Sequence, residues 1–439
     1  MDPIFLGMMV AVVTTLILFS GMSIGIGLLL TSIGFLIFNS GARDLSLVPE
    51  LFFGKLDSFA LLSIPLFILM GGAVASSRAG ADLFEALDRW MTRVPGGLVI
   101  SNLGACALFS ALSGSSPATC AAIGKMGIPA MQKRGYPDSV AAGSIAAGGT
   151  LGILIPPSVT MIVYGISTET SIGRLFLAGL VPGLMLTGLF MAWSLFSTWR
   201  TGRRTGALRA IEYTWAEKFE LLPKVLPFLI IVALVLYALY GGVATPSETA
   251  GIGALLCIVM AMVVYRMYQP AKLWAILRDS TRESVMILVI VGAAGVFSYM
   301  LSSLYITQSV ANAIIAMDAN PWLLLFYVNL FLLFTGLFLP PVAVIVMAAP
   351  ILMPVILAAG FDPYWFAVVL TINMEIGLIT PPVGLNLFVI NSIAPEIKLQ
   401  TILKGSLPYV GCMVLAILLL CFFPGIATFL PDMIMGPAR

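Results

Sequence analysis

The 439-residue sequence contains no histidine. That absence removes imidazole metal ligands, Ser-His-Asp triads and HExxH zinc sites together. Cysteine is scarce: Cys106, Cys120, Cys257, Cys412 and Cys421 stand singly in apolar segments with no CxxC pair, which reads as packing and not redox chemistry. Charge is the third shortage. Only 10% of residues are Asp, Glu, Lys or Arg and the net charge is +2, so nothing marks a nucleic-acid partner. The nearest approach to a phosphate loop, Gly124-Lys125, is followed by Met126 and has Thr119 where the first glycine belongs. No ATP chemistry and no organic cofactor is implied. An intramembrane enzyme is disfavoured by the missing histidine and by the lack of a GxGD carboxylate motif.

What is present is apolar. Hydrophobic residues make up 60% of the chain and mean hydropathy is +1.07, more than a soluble domain can hide from water. In a lipid bilayer such a chain survives only with every backbone group paired inside helices or a closed barrel. Runs such as Val225–Tyr240 and Val285–Leu301 lack the two-residue alternation of barrel strands, so the spans are helical. The start, Met1-Asp2-Pro3, is acidic where a signal peptide needs basic residues, and is read as the first helix of the mature chain.

The sequence repeats itself. Gly135-Tyr136-Pro137-Asp138 returns as Gly360-Phe361-Asp362-Pro363, Pro129 as Pro354, and Gly152-Ile153-Leu154-Ile155-Pro156-Pro157 as Gly377-Leu378-Ile379-Thr380-Pro381-Pro382, all at an ungapped shift of 225. The spacing predicts a first unit over 1–199, a basic linker over 200–224 and a second unit over 225–439. Each unit holds three spanning helices, with an amphipathic stretch at 42–57 or 269–282. A helical pair with a broken tip follows (97–133 and 320–358), then a Pro-Pro-interrupted helix (138–168 and 363–393) and a closing helix (174–199 and 404–430). The tips are Leu112 to Pro117 and Gly336 to Pro341.

Charge decides how the pairs cross. If both are re-entrant, each unit has five crossings and the second is inverted. With the N-terminus outside, eighteen of the twenty-two Lys and Arg residues then lie inside, six of them in the linker, and four outside (Arg43, Lys55, Arg174, Arg439). That split obeys the positive-inside rule, whereas two full-span pairs would put the linker outside. The expected fold is therefore an all-α polytopic membrane protein of two inverted repeats, multi-pass in a bacterial inner membrane with both termini periplasmic.

Inverted repeats joined by discontinuous helices form ion and solute sites near the bilayer midplane. Each Pro-Pro removes amide donors, so the carbonyls before it lose their helical partners and need an ion, water or protein to fill the break. Carbonyl and hydroxyl oxygens suit a hard cation such as Na⁺, and half-helix N-termini suit an anion. Ser110, Ser113, Ser115, Ser116 and Thr119 cluster at the first tip, too densely for simple back-bonding to their own helix. Ser115, Ser116, Thr119, Glu375 and Asn386 are the substrate-binding candidates. Glu375, an ionisable group at membrane depth, reads equally as a functional group or as a carboxyl paired at a helix break.

On Leu112-Ser-Gly-Ser-Ser-Pro-Ala-Thr119, Lys125-Met-Gly-Ile-Pro-Ala-Met131, Arg134-Gly135-Tyr136, Gly152 to Pro157, Gly336 to Pro341, Pro350-Ile-Leu-Met-Pro354 and Gly377 to Gly384, the chain resembles the large (M) subunit of tripartite ATP-independent periplasmic (TRAP) transporters, within the ion-transporter superfamily. The resemblance covers essentially the whole chain. It implies Na⁺-coupled import of a small organic acid, such as a C4-dicarboxylate or sialic acid, by an elevator motion. The two hairpins and two interrupted helices would form the mobile transport domain, with the remaining helices as scaffold. It also implies a periplasmic substrate-binding (P) protein and a small four-helix (Q) subunit. Because the repeat starts at residue 1, Q is expected as a separate chain. One Na⁺ site would involve Ser110, Ser113, Gly152, Ile155 and Pro156, the other Gly336, Gly377, Thr380 and Val383. The second tip departs from the pattern in having no serine, so carbonyls must supply its oxygens. The alternative is a self-sufficient carboxylate transporter that needs no binding protein.

Overall fold

The computed structural model describes residues 2–92, 94, 96–205, 213–316 and 320–437; positions 206–212 of the expected linker, and with them Arg209, lie outside this set, as do Arg93 and Arg439. Among the described residues every regular element is helical. The first half runs α1 (Pro3–Phe19), α2 (Ile24–Ser40), α3 (Leu47–Leu56), α4 (Ser63–Ala75), α5 (Ala79–Met91), α6 (Gly97–Ser113), α7 (Ser116–Lys133), α8 (Asp138–Leu154), α9 (Val159–Thr168) and α10 (Ile172–Thr205). A short α11 (Trp215–Glu220) precedes α12 (Leu222–Tyr240), α13 (Pro246–Val263), α14 (Pro270–Ser303), α15 (Ile306–Ala316), α16 (Pro321–Gly336), α17 (Pro341–Ala358), α18 (Pro363–Leu378), α19 (Leu385–Ile393), α20 (Leu399–Phe422) and α21 (Gly425–Met435). Seven helical stretches among the described residues are long and apolar enough to cross a membrane, or eight if a bent pair counts as one span. The chain is a polytopic membrane protein.

Local chemistry sets the boundaries. Thr245 and Glu248 form a reciprocal capping box at the start of α13, and Thr214 with Glu217 does the same for α11. Asp362 Oδ1 accepts from the Tyr364 and Trp365 amides at 2.8 Å, fixing the start of α18. Gly114, at φ 57°, ends α6 in the left-handed region and turns the chain into α7 within two residues. Helix limits recur at the shift found in the sequence: α7 and α17 start and stop 225 residues apart, and α8 and α18 start 225 apart.

Two differences from the expected elements have local causes. The stretch 269–282 does not form a separate element: it is the first part of the 34-residue α14. Its first-half counterpart is bent by 62° between Arg43–Leu56 and Phe59–Ala75, where Ser58 adopts an extended conformation. The expected closing helix 404–430 stops at Phe422, because Pro424 cannot continue it, and resumes as α21.

Packing sorts the helices. α8 and α20 cross at a glycine pair: a Cβ on Gly143 would lie 2.5 Å from Gly405 Cα, and one on Gly405 would strike Ser139 O. Trp365 Nε1 donates to Leu420 O at 2.9 Å, and the Ser194 and Tyr409 hydroxyls meet at 2.7 Å, tying α18 and α10 to α20. The closing helices α10 and α20 therefore pack with the interrupted helices. A second group forms around α14, where Gly25 of α2 sits against Val289 and Gly72 of α4 against Ser280. Between the groups lies α5. Its Asp88 takes a two-pronged ion pair from Arg134 at 2.9 and 2.5 Å, and its Arg89 pairs with Glu220 at 2.8 Å.

Candidate functional site

The first hairpin tip meets the first helix break. A Cβ on Gly152 would lie 2.7 Å from Ser115 O, and one on Gly114 would lie 2.9 Å from Pro157 O, so both contacts require glycine. In a regular helix Gly152 O and Ile153 O would accept from residues 156 and 157, which are prolines without N–H groups. Ser158 Oγ replaces one donor, bonding Ile153 O at 2.6 Å while accepting from the Met161 amide at 3.3 Å to start α9. Gly152 O gains no such substitute among the described residues. The tip hydroxyls are woven into the turn: Ser113 Oγ and Thr119 Oγ1 stand 2.7 Å apart, and Thr119 also donates to Ser115 O at 2.9 Å. Ser110 Oγ bonds back to Cys106 O at 2.6 Å. Ser110, Ser113, Gly152, Ile155 and Pro156 are all buried.

The second half repeats the meeting with different chemistry. A Cβ on Gly377 would strike Gly336 O, so α18 and the end of α16 touch backbone to backbone. Val383 N donates to Leu337 O at 3.3 Å, joining break and tip directly. Gly377 O has Pro381 four residues on, as Gly152 O has Pro156, but here the Thr380 amide turns back and donates to Gly377 O at 3.4 Å. Thr380 Oγ1 donates to Ile376 O at 2.6 Å, which orients its lone pairs away from its own helix. This break is open where the first is enclosed: Val383 is 42% exposed.

Asn386, at the start of α19, bridges the halves. Its Nδ2 donates to Ser116 Oγ at 2.8 Å and to Ala146 O at 3.1 Å, while its buried Oδ1 has no partner among the described residues. Beside this junction lies a cavity of about 500 Å³. Ser115 and Ser116 of the first tip, Pro340 and Pro341 of the second, and a stripe of α14 all line it.

The structure thus sets Gly114 and Ser115 of the first tip against Pro157 and Gly152 of one break, and Gly336 and Leu337 of the second tip against Gly377 and Val383 of the other, while Ser110 bonds only back to its own helix. Of the five substrate-binding candidates, Ser115 and Ser116 line the cavity, with Thr119 and Asn386 bonded one layer behind them. Glu375 does not join them. It is fully enclosed in α18, away from the cavity lining, and both carboxyl oxygens are without a partner among the described residues. Sequence reasoning missed Thr160 and the α14 residues Lys272, Asp279 and Glu283, all of which line the cavity. The signal was there: Lys272, Ile276, Asp279 and Ser280, in a segment read only as amphipathic, share one stripe at helical spacing with Glu283 just beyond it.

Two glycine-fitted meetings of hairpin tip and broken helix beside one cavity define a membrane transport fold. Solved transporter structures share it: the Alcanivorax borkumensis YdaH transporter superposes with a TM-score of 0.65 at 18% identity, covering 89% of this chain and 90% of that one. The Neisseria gonorrhoeae MtrF structure superposes with a TM-score of 0.60 at 15% identity, covering 88% of this chain and 85% of that one. Residues 9–426 match the family described as tripartite ATP-independent periplasmic transporter, DctM component, and the chain belongs to that family of transport permeases. It is similar to a C4-dicarboxylate TRAP transporter large permease protein of Pseudomonas aeruginosa, 36% identical over 86% of this chain and 87% of that protein. It is also similar to a sialic acid TRAP transporter large permease protein of Vibrio cholerae, 30% identical over 96% of this chain and 97% of that one. A longer relative, the isethionate TRAP transporter permease protein DctMQ of Oleidesulfovibrio alaskensis, is 34% identical over 94% of this chain and 64% of its own length.

Proposed function

We propose that this large permease imports a small organic acid, a C4-dicarboxylate or similar carboxylate, driven by Na⁺ through an elevator motion of two inverted repeats. The observation that carries the reading is the backbone-to-backbone meeting of each hairpin tip with a Pro-Pro break, at Gly152 and at Gly377, twice in one chain. Carbonyl oxygens there, with the Ser113 and Thr380 hydroxyls, form donor sets suited to Na⁺. One ion would sit among Ser110, Ser113, Gly152, Ile155 and Pro156, the second among Gly336, Gly377, Thr380 and Val383. The substrate's carboxylate would lie between them in the cavity, at Ser115 and Ser116 and near the N-terminus of α9.

In this reading the mobile body comprises both hairpins, both interrupted helices and the closing helices α10 and α20, and the group around α14 stays fixed. The α14 start belongs to the basic segment Arg266 to Arg282, so the cavity opens toward the cytoplasm. Two companions complete the system: a periplasmic binding protein that delivers the substrate and a small membrane subunit on a separate chain. Uptake of labelled succinate into proteoliposomes tests the reading. Concentrative uptake is expected only with an inward Na⁺ gradient and both companions. Robust uptake by the purified chain alone would favour the self-sufficient transporter.

A further inference from the structure

Lys272 and Glu283 stand on one stripe of α14, eleven residues apart, or about 16 Å at ~1.5 Å rise per residue. Both line the cavity, and neither forms an ion pair among the described residues. The intervening Asp279 also lines it, but pairs with Arg278 at 3.0 Å, and neither Arg278 nor Arg282 faces the cavity. Lys272 is the sole cation among the lining residues. It lies near the α14 start, with Glu283 deeper along the wall. Both hairpin tips line the same cavity. Ionisable side chains at membrane depth are costly and persist where they line a water-filled route.

We propose that Glu283 and Lys272 set a charge gradient along the cavity wall, so that the site facing the cytoplasm holds an anionic substrate less tightly than the same site facing outward. This rests on the transport reading above. An anion leaving the tips starts beside a carboxylate and ends beside an ammonium, so its path outward from the tips is downhill. Because both charges sit on α14, which packs with the fixed group, the substrate meets Glu283 only when the mobile body presents its tips to this wall. A ligand shifts a two-state equilibrium only through such a difference in affinity between the states. Glu283 is thus an affinity-setting residue for release, separate from the oxygens that would hold Na⁺, and anions in the cytoplasm would be disfavoured from re-entering.

The potential in the cavity can be measured without substrate or companions. Ala118→Cys, which lines the cavity on the first tip, is treated in inverted membrane vesicles at fixed Na⁺ with a cationic and an anionic methanethiosulfonate. The unsubstituted chain, whose five cysteines are buried or half-buried, supplies the blank. Taking a separation of roughly 10 Å and an effective permittivity near 40, one charge changes each rate about fourfold in opposite directions, and the cation-to-anion ratio by roughly sixteenfold. Glu283→Gln is expected to lower that ratio by roughly sixteenfold on the same estimate, Glu283→Asp to keep it, and Lys272→Gln to raise it. An unchanged ratio in Glu283→Gln, with Ala118→Cys still reactive from the cytoplasmic face, overturns the gradient. Reaction only from the periplasmic face would instead overturn the orientation on which the proposed function depends. Reaction from neither face would remove the open cavity and the gradient with it.

Discussion

Asn386 donates one amide hydrogen bond to Ser116 Oγ at 2.8 Å and another to Ala146 O at 3.1 Å, although 270 positions separate it from the serine. The pair fastens the second-half helix α19 to the first hairpin tip. Replacing Asn386→Leu leaves both acceptors without that donor. The expected cost is about 1–3 kcal/mol. A thiol-reactive dye melt, which reads the exposure of the buried cysteines, should show a transition several degrees lower, and Asn386→Asp should not restore it because it cannot donate when ionised.

The glycine crossing of α8 and α20 gives a contrast within one helix. Gly405→Ala drives a methyl into Ser139 O, whereas Gly411 has nothing within 4 Å of a built Cβ. Gly405→Ala should aggregate or run polydisperse in size-exclusion chromatography. Gly411→Ala should be neutral or stabilise by about 0.5–1 kcal/mol, the ordinary helix preference for alanine. Equal behaviour of the two would contradict the crossing.

Ion coupling is tested at the two hydroxyls. Ser113→Ala and Thr380→Val each remove one oxygen beside a break while keeping the backbone. If each oxygen holds an ion, the Na⁺ concentration for half-maximal uptake should rise roughly tenfold to a hundredfold, equivalent to about 1–3 kcal/mol. The double variant should shift further than either single one, since the sites belong to different breaks. Unchanged Na⁺ curves in all three would leave the main-chain carbonyls as the only protein ligands.

Topology follows from the basic linker and the exposed turn after α9. Ser171→Cys should react with a membrane-impermeant maleimide on intact spheroplasts, and Ala216→Cys, on the exposed face of α11, only after permeabilisation. Ready labelling of Ala216→Cys from outside would reverse the assignment and the inverted repeat with it.

Much of this was legible in the residues. Gly-Pro spacing carried the breaks: because Gly152 and Pro156, like Gly377 and Pro381, stand four apart, helix geometry alone says which carbonyl loses its donor. Hairpin limits followed from Gly114 and from prolines at helix starts. What stayed hidden was tertiary. The affiliation of α10 and α20 depends on which glycines meet, and Gly143 looks like any of the small residues around it until Gly405 lies against it. The role of α14 was equally obscure. Lys272, Asp279 and Glu283 carry no motif, and only a cavity on their side separates a transport wall from a solvated helix face. Glu375 marks the reverse case, a charge whose rarity drew attention and which the fold encloses away from the route.

The 62° bend between α3 and α4 has no counterpart in the unbroken α14, although the two occupy corresponding places in the two halves. A transporter whose halves were geometrically identical could exchange their conformations and arrive at an end state of equal energy, resting on either side of the membrane without preference. One bent and one straight element remove that degeneracy. In the elevator reading proposed above, the resting position would be biased by the covalent chain before an ion, a substrate or a partner arrives, and ligands would act on a balance already tilted.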